Sequence, residues 1–469
     1  MQRPHNGLVA ESKVDSRTES RDIYLTLDLA LRVGEVLLSS GAGAADVTAT
    51  MLSITHGLGL RNCVVDVTFT SLQLIYQPGP EEQTQSQMRQ VKHRDIDYTD
   101  LTEVDHLVHD LLLGEIDLTE ARSRLAQVVS SGHEWPRWQV SAGWGVMGIG
   151  IALLLGGDWI VVLIAFFAAV GIDLLKRSMS RRRMPAFYQQ VAGGLLATLL
   201  AVGTAATELP VDPSLVVTSS IIMLLAGVAF MGAIQDALSG FYVTSGARLL
   251  EATLATAGII AGVSGGLTVG QMLGVEIAIE PGLAGFSYLP VMAFGAGLAA
   301  AAFAFACYAP LRALLPILFV SALGEIVFFL MEVQGFGRAF AAAGAAVAIG
   351  AVSYTVAGRF KVPPLAVVVP AIVPLLPGLS IYRGLSLIAE GDTFGILAMA
   401  TAVGIAIALS SGVILGEYVA QPLKREARRL EHRLSGPRLV GPLRARSVKR
   451  EGKRETKREA KREKVSTAG

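Results

Sequence analysis

Hydrophobic and polar positions divide the chain into three unequal parts. From Val140 to Val419 apolar residues dominate, in ten segments: 140–156, 159–175, 187–207, 214–234, 248–270, 285–308, 312–331, 339–357, 363–381 and 393–417. At about 1.5 Å per helical residue, each suits a hydrocarbon layer of about 30 Å. Lipid offers no partner for open backbone, so helices are expected throughout. Ahead of them the pattern is that of a small α/β unit. Leu27, Leu31, Gly34 and Leu38 recur at helical spacing, Gly41 and Gly43 stop that helix, and a second is expected from about Ala44 to His56. CVVDVTFTSLQLIY (63–76) reads as one or two strands, and MRQVKHR (88–94) as another. Helices resume near Thr102 and Thr119, the second with Asp117 and Glu120 at capping-box spacing. Residues 1–20 are polar and expected to be disordered. The predicted fold class is an all-α polytopic membrane protein with about ten transmembrane helices and a small α/β N-terminal domain. The expected divisions are 1–20, 21–138, 139–280, 281–420 and a tail, 421–469.

Charge adds a direction. If the N-terminal domain is cytoplasmic, the inner loops carry Lys176, Arg177, Arg181, Arg182, Arg183, Arg248, Arg312, Arg359 and Lys361. The outer loops carry only Arg338 and Arg383, beside Asp158, Glu208, Asp212, Glu276, Glu280, Glu332, Glu390 and Asp392. This is the positive-inside pattern, and it predicts a multi-pass protein of the plasma membrane with both termini inside. The net charge of +1 conceals further asymmetry: residues 1–138 hold 12 basic and 20 acidic residues, and 421–469 hold 17 basic and 6 acidic. The tail's KRETKREAKREK (453–464) has a four-residue beat, suited to solvated helix or to anionic lipid. An apolar content of 52% is too high for one soluble domain of this length.

Candidate chemistry lies at helix breaks. The ninth segment, PPLAVVVPAIVPLLPGLSIY, contains Pro363, Pro364, Pro370, Pro374 and Pro377, followed by Gly378. Proline removes a backbone donor and clashes with the preceding turn, so this helix must kink or break. The fourth segment ends AFMGAIQDALSGFYVTSG, also a polar, glycine-marked break, with Gly240 inside it. Five segments precede residue 280 and five follow. An odd number per half inverts the second half relative to the first, and matched broken spans in two halves point to a transporter site. Ionisable residues at membrane depth are costly and tend to be functional. Glu325 in SALGEIVFF, Asp173 after Gly171, Asp236 at the fourth break, and Arg248 with Glu251 opening the fifth helix are the candidates for substrate binding and proton coupling. A structural latch of Arg248 with Asp236 or Glu251 is the plainer alternative.

Other motifs carry less. Gly262-Val263-Ser264-Gly265-Gly266 resembles a nucleophile elbow, but all seven histidines lie outside the apolar segments. Gly258, Gly262 and Gly266 fit small-xxx-small helix packing instead. Ser39 or Ser40 with His56 is the set nearest to a hydrolase in the N-terminal domain. His106 and His109, flanked by Asp105 and Asp110, read better as a solvated helix face than as a metal site. Cys63 and Cys307 form no disulfide framework. No phosphate-binding Gly-x-x-x-x-Gly-Lys-Ser/Thr loop appears. No cofactor, metal or nucleic-acid partner is expected; a homo-oligomer is left open.

DLALRVGEVLLSSGAGAADVTATM (28–51), RDIDYTDL (94–101), QDALSGFYVTSGARLLEA (235–252) and VPLLPGLSIYRG (373–384) together resemble the threonine/serine exporter family of bacterial inner-membrane proteins. The resemblance runs from about residue 25 to 420 and implies a cytoplasmic N-terminal domain, ten spans, and proton-driven export of small amino acids. In some members the two halves are separate chains. The tail lies outside the resemblance. A channel, or an exporter of another small metabolite, is the alternative function; a membrane-anchored hydrolase is a more distant one.

Overall fold

The computed structural model describes residues 7–91, 96–133, 135–207, 212–224, 227–275, 288–389 and 392–427. Residues 1–6, His93, Arg94, Asp95, Glu208, Glu276, Glu280, Glu390 and the tail from 428 lie outside this set. The chain opens with helix α1 (Gly7–Ser39), which begins inside the segment expected to be disordered. Residues 8–33 contain neither Pro nor Gly. Helix can therefore propagate backwards from the buried turns, gaining a hydrogen bond per residue. Leu27, Leu31 and Leu38 are fully buried, as their spacing predicts. Gly34 lets α1 pack closely on Met51: a Cβ there would lie 2.6 Å from the Met51 sulfur. Helix α2 (Ala44–Gly57) follows the turn at Gly41, whose φ is +92°.

Strands β1 (Cys63–Thr68), β2 (Ser71–Tyr76) and β3 (Gln85–Gln90) form an antiparallel sheet in that order. The 63–76 run is thus two strands joined by a two-residue turn at Phe69 and Thr70. The third strand lies slightly ahead of its expected position. Helices α3 (Tyr98–Leu113) and α4 (Leu118–Ser131) complete the unit. Asp97 caps α3 by accepting from the Thr99 and Asp100 amides. Asp117 accepts from the Glu120 amide at 2.7 Å, while the Glu120 carboxylate turns outward to Arg124.

The apolar part is helical: α5 (Arg137–Leu154), α6 (Trp159–Arg181), α7 (Ala186–Ala205), α8 (Pro213–Ile222), α9 (Gly227–Leu238), α10 (Tyr242–Met272), α11 (Leu289–Ala306), α12 (Leu311–Val333), α13 (Arg338–Phe360), α14 (Leu365–Ile372), α15 (Gly378–Ala389) and α16 (Phe394–Ala427). Seven of these are long and apolar enough to cross a membrane, and the bent pairs α8–α9 and α14–α15 raise the number to nine. Each pair bends by 47°; the first break includes residues 225–226, outside the described set, and the second contains a 3₁₀ turn, Val373–Leu375. Helix α5 falls short of that set because Arg137 and Gln139 occupy its first turn. Phe167, Leu254, Phe319, Ile396 and Leu415 are exposed on the helices, a surface suited to hydrocarbon.

Helix neighbours repeat. Helix α8 packs on α5, α6 and α7 as α14 packs on α11, α12 and α13. The close pairs α7–α10 and α13–α16 also correspond, and the two sets meet through α5–α11, α9–α16 and α10–α15. Glycine makes the close pairs. A Cβ on Gly262 would lie 2.1 Å from the Val191 carbonyl oxygen, and one on Gly416 2.4 Å from that of Val347. Gly258 meets the Phe187 carbonyl oxygen and Gly266 the Thr198 side chain of α7, so Gly258, Gly262 and Gly266 form a packing face.

Candidate substrate site

A cavity of about 420 Å³ lies where the two broken helix pairs meet. The breaks touch each other: a Cβ on Gly227, at the start of α9, would lie 3.0 Å from the Leu376 Cβ. Proline builds the second break. Pro374 and Pro377 lack the N–H that would continue α14, and Leu376 between them is extended, at φ −62° and ψ 141°. Helix α15 restarts at Gly378, and its first turn (Gly378, Leu379, Ser380) lines the cavity. Amides of a helix's first turn have no intrahelical acceptor, and the helix dipole there favours negative charge.

Four charged side chains share this cavity: Glu325 and Glu332 from α12, Arg338 from α13 and Arg383 from α15. Glu325 is only 5% exposed and follows Gly324, where a Cβ would lie 2.5 Å from the Ile349 side chain. The helix is thus held against α13 beside the acid. Arg338 pairs with Glu332 at 3.6 Å, at the end of α12 remote from the N-terminal unit. Apolar walls come from Trp144, Met147 and Ile151 of α5 and Phe328 and Phe329 of α12. The cavity therefore offers acceptor, donor and apolar surface together.

Of the residues singled out by sequence, Glu325, Pro374, Pro377 and Gly378 line this cavity. Pro370 is buried in α14 away from it. Gly240 sits at the α9–α10 turn with φ +89° and open space beside its Cα. Glu251 is exposed on α10. Asp173 pairs with Arg177 at 2.8 Å and accepts from the Ser141 hydroxyl at 2.7 Å.

Asp236 and Arg248 form a separate, buried constellation, 1% and 4% exposed. They pair at 2.8 Å, the latch arrangement. The other Asp236 oxygen accepts from the Ala44 amide at 3.0 Å, at the N-terminus of α2, and Arg248 donates to the Ala42 carbonyl at 3.2 Å. Thr244 donates to the Val67 carbonyl and accepts from the Phe69 amide, both at 3.1 Å. Two motifs some 200 residues apart in sequence, SSGAGAADVTATM and QDALSGFYVTSGARLLEA, are thus two sides of one interface. Asp46 and Glu417 adjoin it. Desolvation, with Glu417 and then Asp236 nearby, pushes the Asp46 carboxyl well above its usual range. Sequence reasoning missed Arg383, Ser380, Asp46 and Glu417. Arg383 follows the ninth segment directly and looked like a loop charge.

The remaining candidates are placed simply. The Ser39 hydroxyl donates to the Val36 carbonyl and His56 is exposed. His106 meets the Lys361 carbonyl oxygen at 3.2 Å.

The family model described as "Putative threonine/serine exporter" matches residues 28–270, and "Threonine/Serine exporter, ThrE" matches 292–419. The chain belongs to the threonine/serine exporter family. It is 34% identical over 426 residues to the probable threonine/serine exporter of Mycobacterium tuberculosis, covering 88% of this chain and 80% of the relative. It is 33% identical over 419 residues to the threonine/serine exporter of Corynebacterium glutamicum, covering 88% and 86%. A probable succinate transporter subunit of Escherichia coli is 25% identical over 258 residues, 52% of this chain and 95% of that one. No solved structure matches significantly. These relatives are named as transporters, not enzymes, and the chain is a multi-pass bacterial membrane transporter of this family.

Proposed function

We propose that this chain exports small neutral amino acids, threonine and serine first, across the inner membrane in exchange for protons. The observation that carries the reading is the cavity at the meeting of the two helix breaks, with Glu325 on one wall and the first turn of α15 plus Arg383 on another. A zwitterion needs both. The α15 amides and the Arg383 guanidinium receive the carboxylate. Glu325 receives the ammonium or the coupling proton, a role buried carboxylates take in transporters. The names of the M. tuberculosis and C. glutamicum relatives support the substrate class.

On this reading α5 is the first of ten spans, each bent pair is one span, and the spans form two inverted five-helix halves. The repeated helix neighbours and the equal 47° bends support that arrangement. So does the E. coli relative, nearly all of which matches about half of this chain. The α/β domain over 21–138 and both termini are cytoplasmic, as the loop charges predict.

Inside-out vesicles holding the purified protein should take up labelled threonine only when a proton gradient is imposed, with serine competing. Uptake indifferent to the gradient would remove the antiport. A second reading, a dicarboxylate substrate, draws on the two guanidinium groups in the cavity and the succinate named for the E. coli relative. Succinate competing better than serine would favour it.

A further inference from the structure

A second cavity, of about 460 Å³, opens on the face where the N-terminal unit docks. Arg137 of α5, Lys176, Arg177 and Arg181 of α6, Ser180 and Gln189 line it, with Asp173 as its one acid. Arg177 is held by Asp173, and Arg137 donates to the Tyr308 hydroxyl at 3.2 Å, so two of the four cations are positioned by neighbouring side chains. Four cations around one carboxylate make a chamber for anions. Two residues, Trp144 and Met223, line both this chamber and the central cavity.

Their positions suit a partition. Trp144 stands between Gly143 and Gly145, where added Cβ atoms would lie 2.8 Å from Phe305 and 2.5 Å from Phe166. Helix α5 is thus clamped on both sides of the indole, which meets the Phe303 ring edge-on at 5.9 Å. Met223 is the residue at which α8 ends, at the first helix break. An unbranched thioether on a broken helix can leave its place with little repacking. The central cavity reaches Glu332 and Arg338 at the far end of α12, so the two chambers lie toward opposite faces.

We propose that the basic cavity is the receiving chamber for the substrate carboxylate on the side of the N-terminal unit, and that Trp144 and Met223 form the partition between it and the central site. This rests on the transport reading above but is tested without transport. Cys63 and Cys307 are replaced by serine, and a single cysteine is placed at Ser180 in the chamber or at Ser380 in the central cavity. Inside-out vesicles are treated with a membrane-impermeant thiol reagent. The Ser180→Cys protein should be labelled and protected by threonine but not by threoninamide, which lacks the carboxylate. The Ser380→Cys protein should resist labelling from this side until Trp144→Ala is added, when the rate rises by about tenfold or more as the path opens. Met223→Ala gives the same readout if Trp144→Ala does not reach the membrane. Labelling of Ser380→Cys at full rate with both residues intact, or no gain with either removed, would overturn the partition. Equal protection by threoninamide, or protection conferred by anionic lipid alone, would overturn the chamber's ligand. Loss of gradient-driven uptake with the labelling pattern intact would instead count against the antiport reading.

Discussion

Glu325 and Arg383 carry different parts of the proposed transport, and their variants should separate them. Glu325→Gln keeps size and hydrogen bonding but cannot titrate. It should abolish gradient-driven efflux of threonine while leaving downhill exchange of labelled threonine measurable in the same vesicles. Full gradient-driven efflux by this variant would leave Glu325 a structural carboxyl. Arg383→Gln should raise the KM for threonine by about tenfold to a hundredfold, since hydrogen bonds to charged groups contribute about 1.5–3 kcal/mol. Glu325 was legible in the sequence because it is the one acid inside the apolar segment 312–331. Arg383 was not: only the restart of α15 after Pro377 turns it into the cavity, and periodicity does not show where a broken helix resumes. A different carboxyl has a pH signature. Asp105, on α3, is 4% exposed, one of its oxygens makes no hydrogen bond among the described residues, and burial pushes it up to about 8. In the unfolded chain it ionises near about 3.9. Between those values the unfolded state has lost a proton that the folded state keeps, so stability falls as pH rises toward 8. Asp105→Asn should therefore raise the melting temperature more at pH 8 than at pH 5; an equal gain at both would exclude this account.

At the scale of elements, glycine spacing made the helix pairs legible, and packing tests them. Gly262 faces the α7 backbone, whereas Gly265, three residues on, has nothing within 4 Å of its added Cβ. Gly262→Leu must separate α7 from α10 and should cost about 1–3 kcal/mol or more, as overpacking does. Gly265→Leu should be nearly neutral. Thermal unfolding of both in one detergent checks the contrast, and comparable destabilisation would mean that α10 does not meet α7 along this face. The strands were legible as a run but not as a number. Their division rests on Phe69, a non-glycine turn residue at φ +36°, which propensity would not choose. What stabilises that turn lies outside the segment, in the bond from its amide to Thr244.

At the scale of the molecule, the N-terminal unit binds both sets of helices. It reaches α9 through Asp236 and α10 through Thr244 and Arg248, and reaches the second set where the Tyr98 amide donates to the Cys307 carbonyl at 2.9 Å and where His106 meets Lys361. His133 stacks on Tyr308 at 3.8 Å. Phe69, Tyr308 and Lys361, all at these contacts, are three of the four non-glycine residues with positive φ among those described. Left-handed backbone costs about 1–2 kcal/mol for such residues, so the docked interface must sustain it. None of this was legible in the sequence, because the partners are up to 255 residues apart and no local pattern links them. The loop charges did predict sidedness, and cysteines introduced at Asp212 and Arg182 test it. An impermeant reagent outside cells should label only the first, and the reverse result would invert the topology.

Whether docking is one cooperative event follows from the buried pair. Asp236→Ala removes the acceptor of the Ala44 amide and leaves the Arg248 guanidinium buried without its carboxylate. Stranding such a charge costs about 3–5 kcal/mol, whereas replacing both charges with apolar groups is often near neutral. Amide hydrogen exchange reads the consequence locally. Exchange at Ala44 should rise in Asp236→Ala whatever the wider response, since its hydrogen-bond partner is gone. The informative amide is Phe69, whose acceptor Thr244 is untouched by the substitution. If the N-terminal unit undocks as a whole, Phe69 exchange rises in step with Ala44, and the double variant Asp236→Ala with Arg248→Met restores Phe69 but not Ala44. Acceleration confined to Ala44 in the single variant would show instead that the two contacts open independently, and that the unit is tethered at several points rather than latched at one.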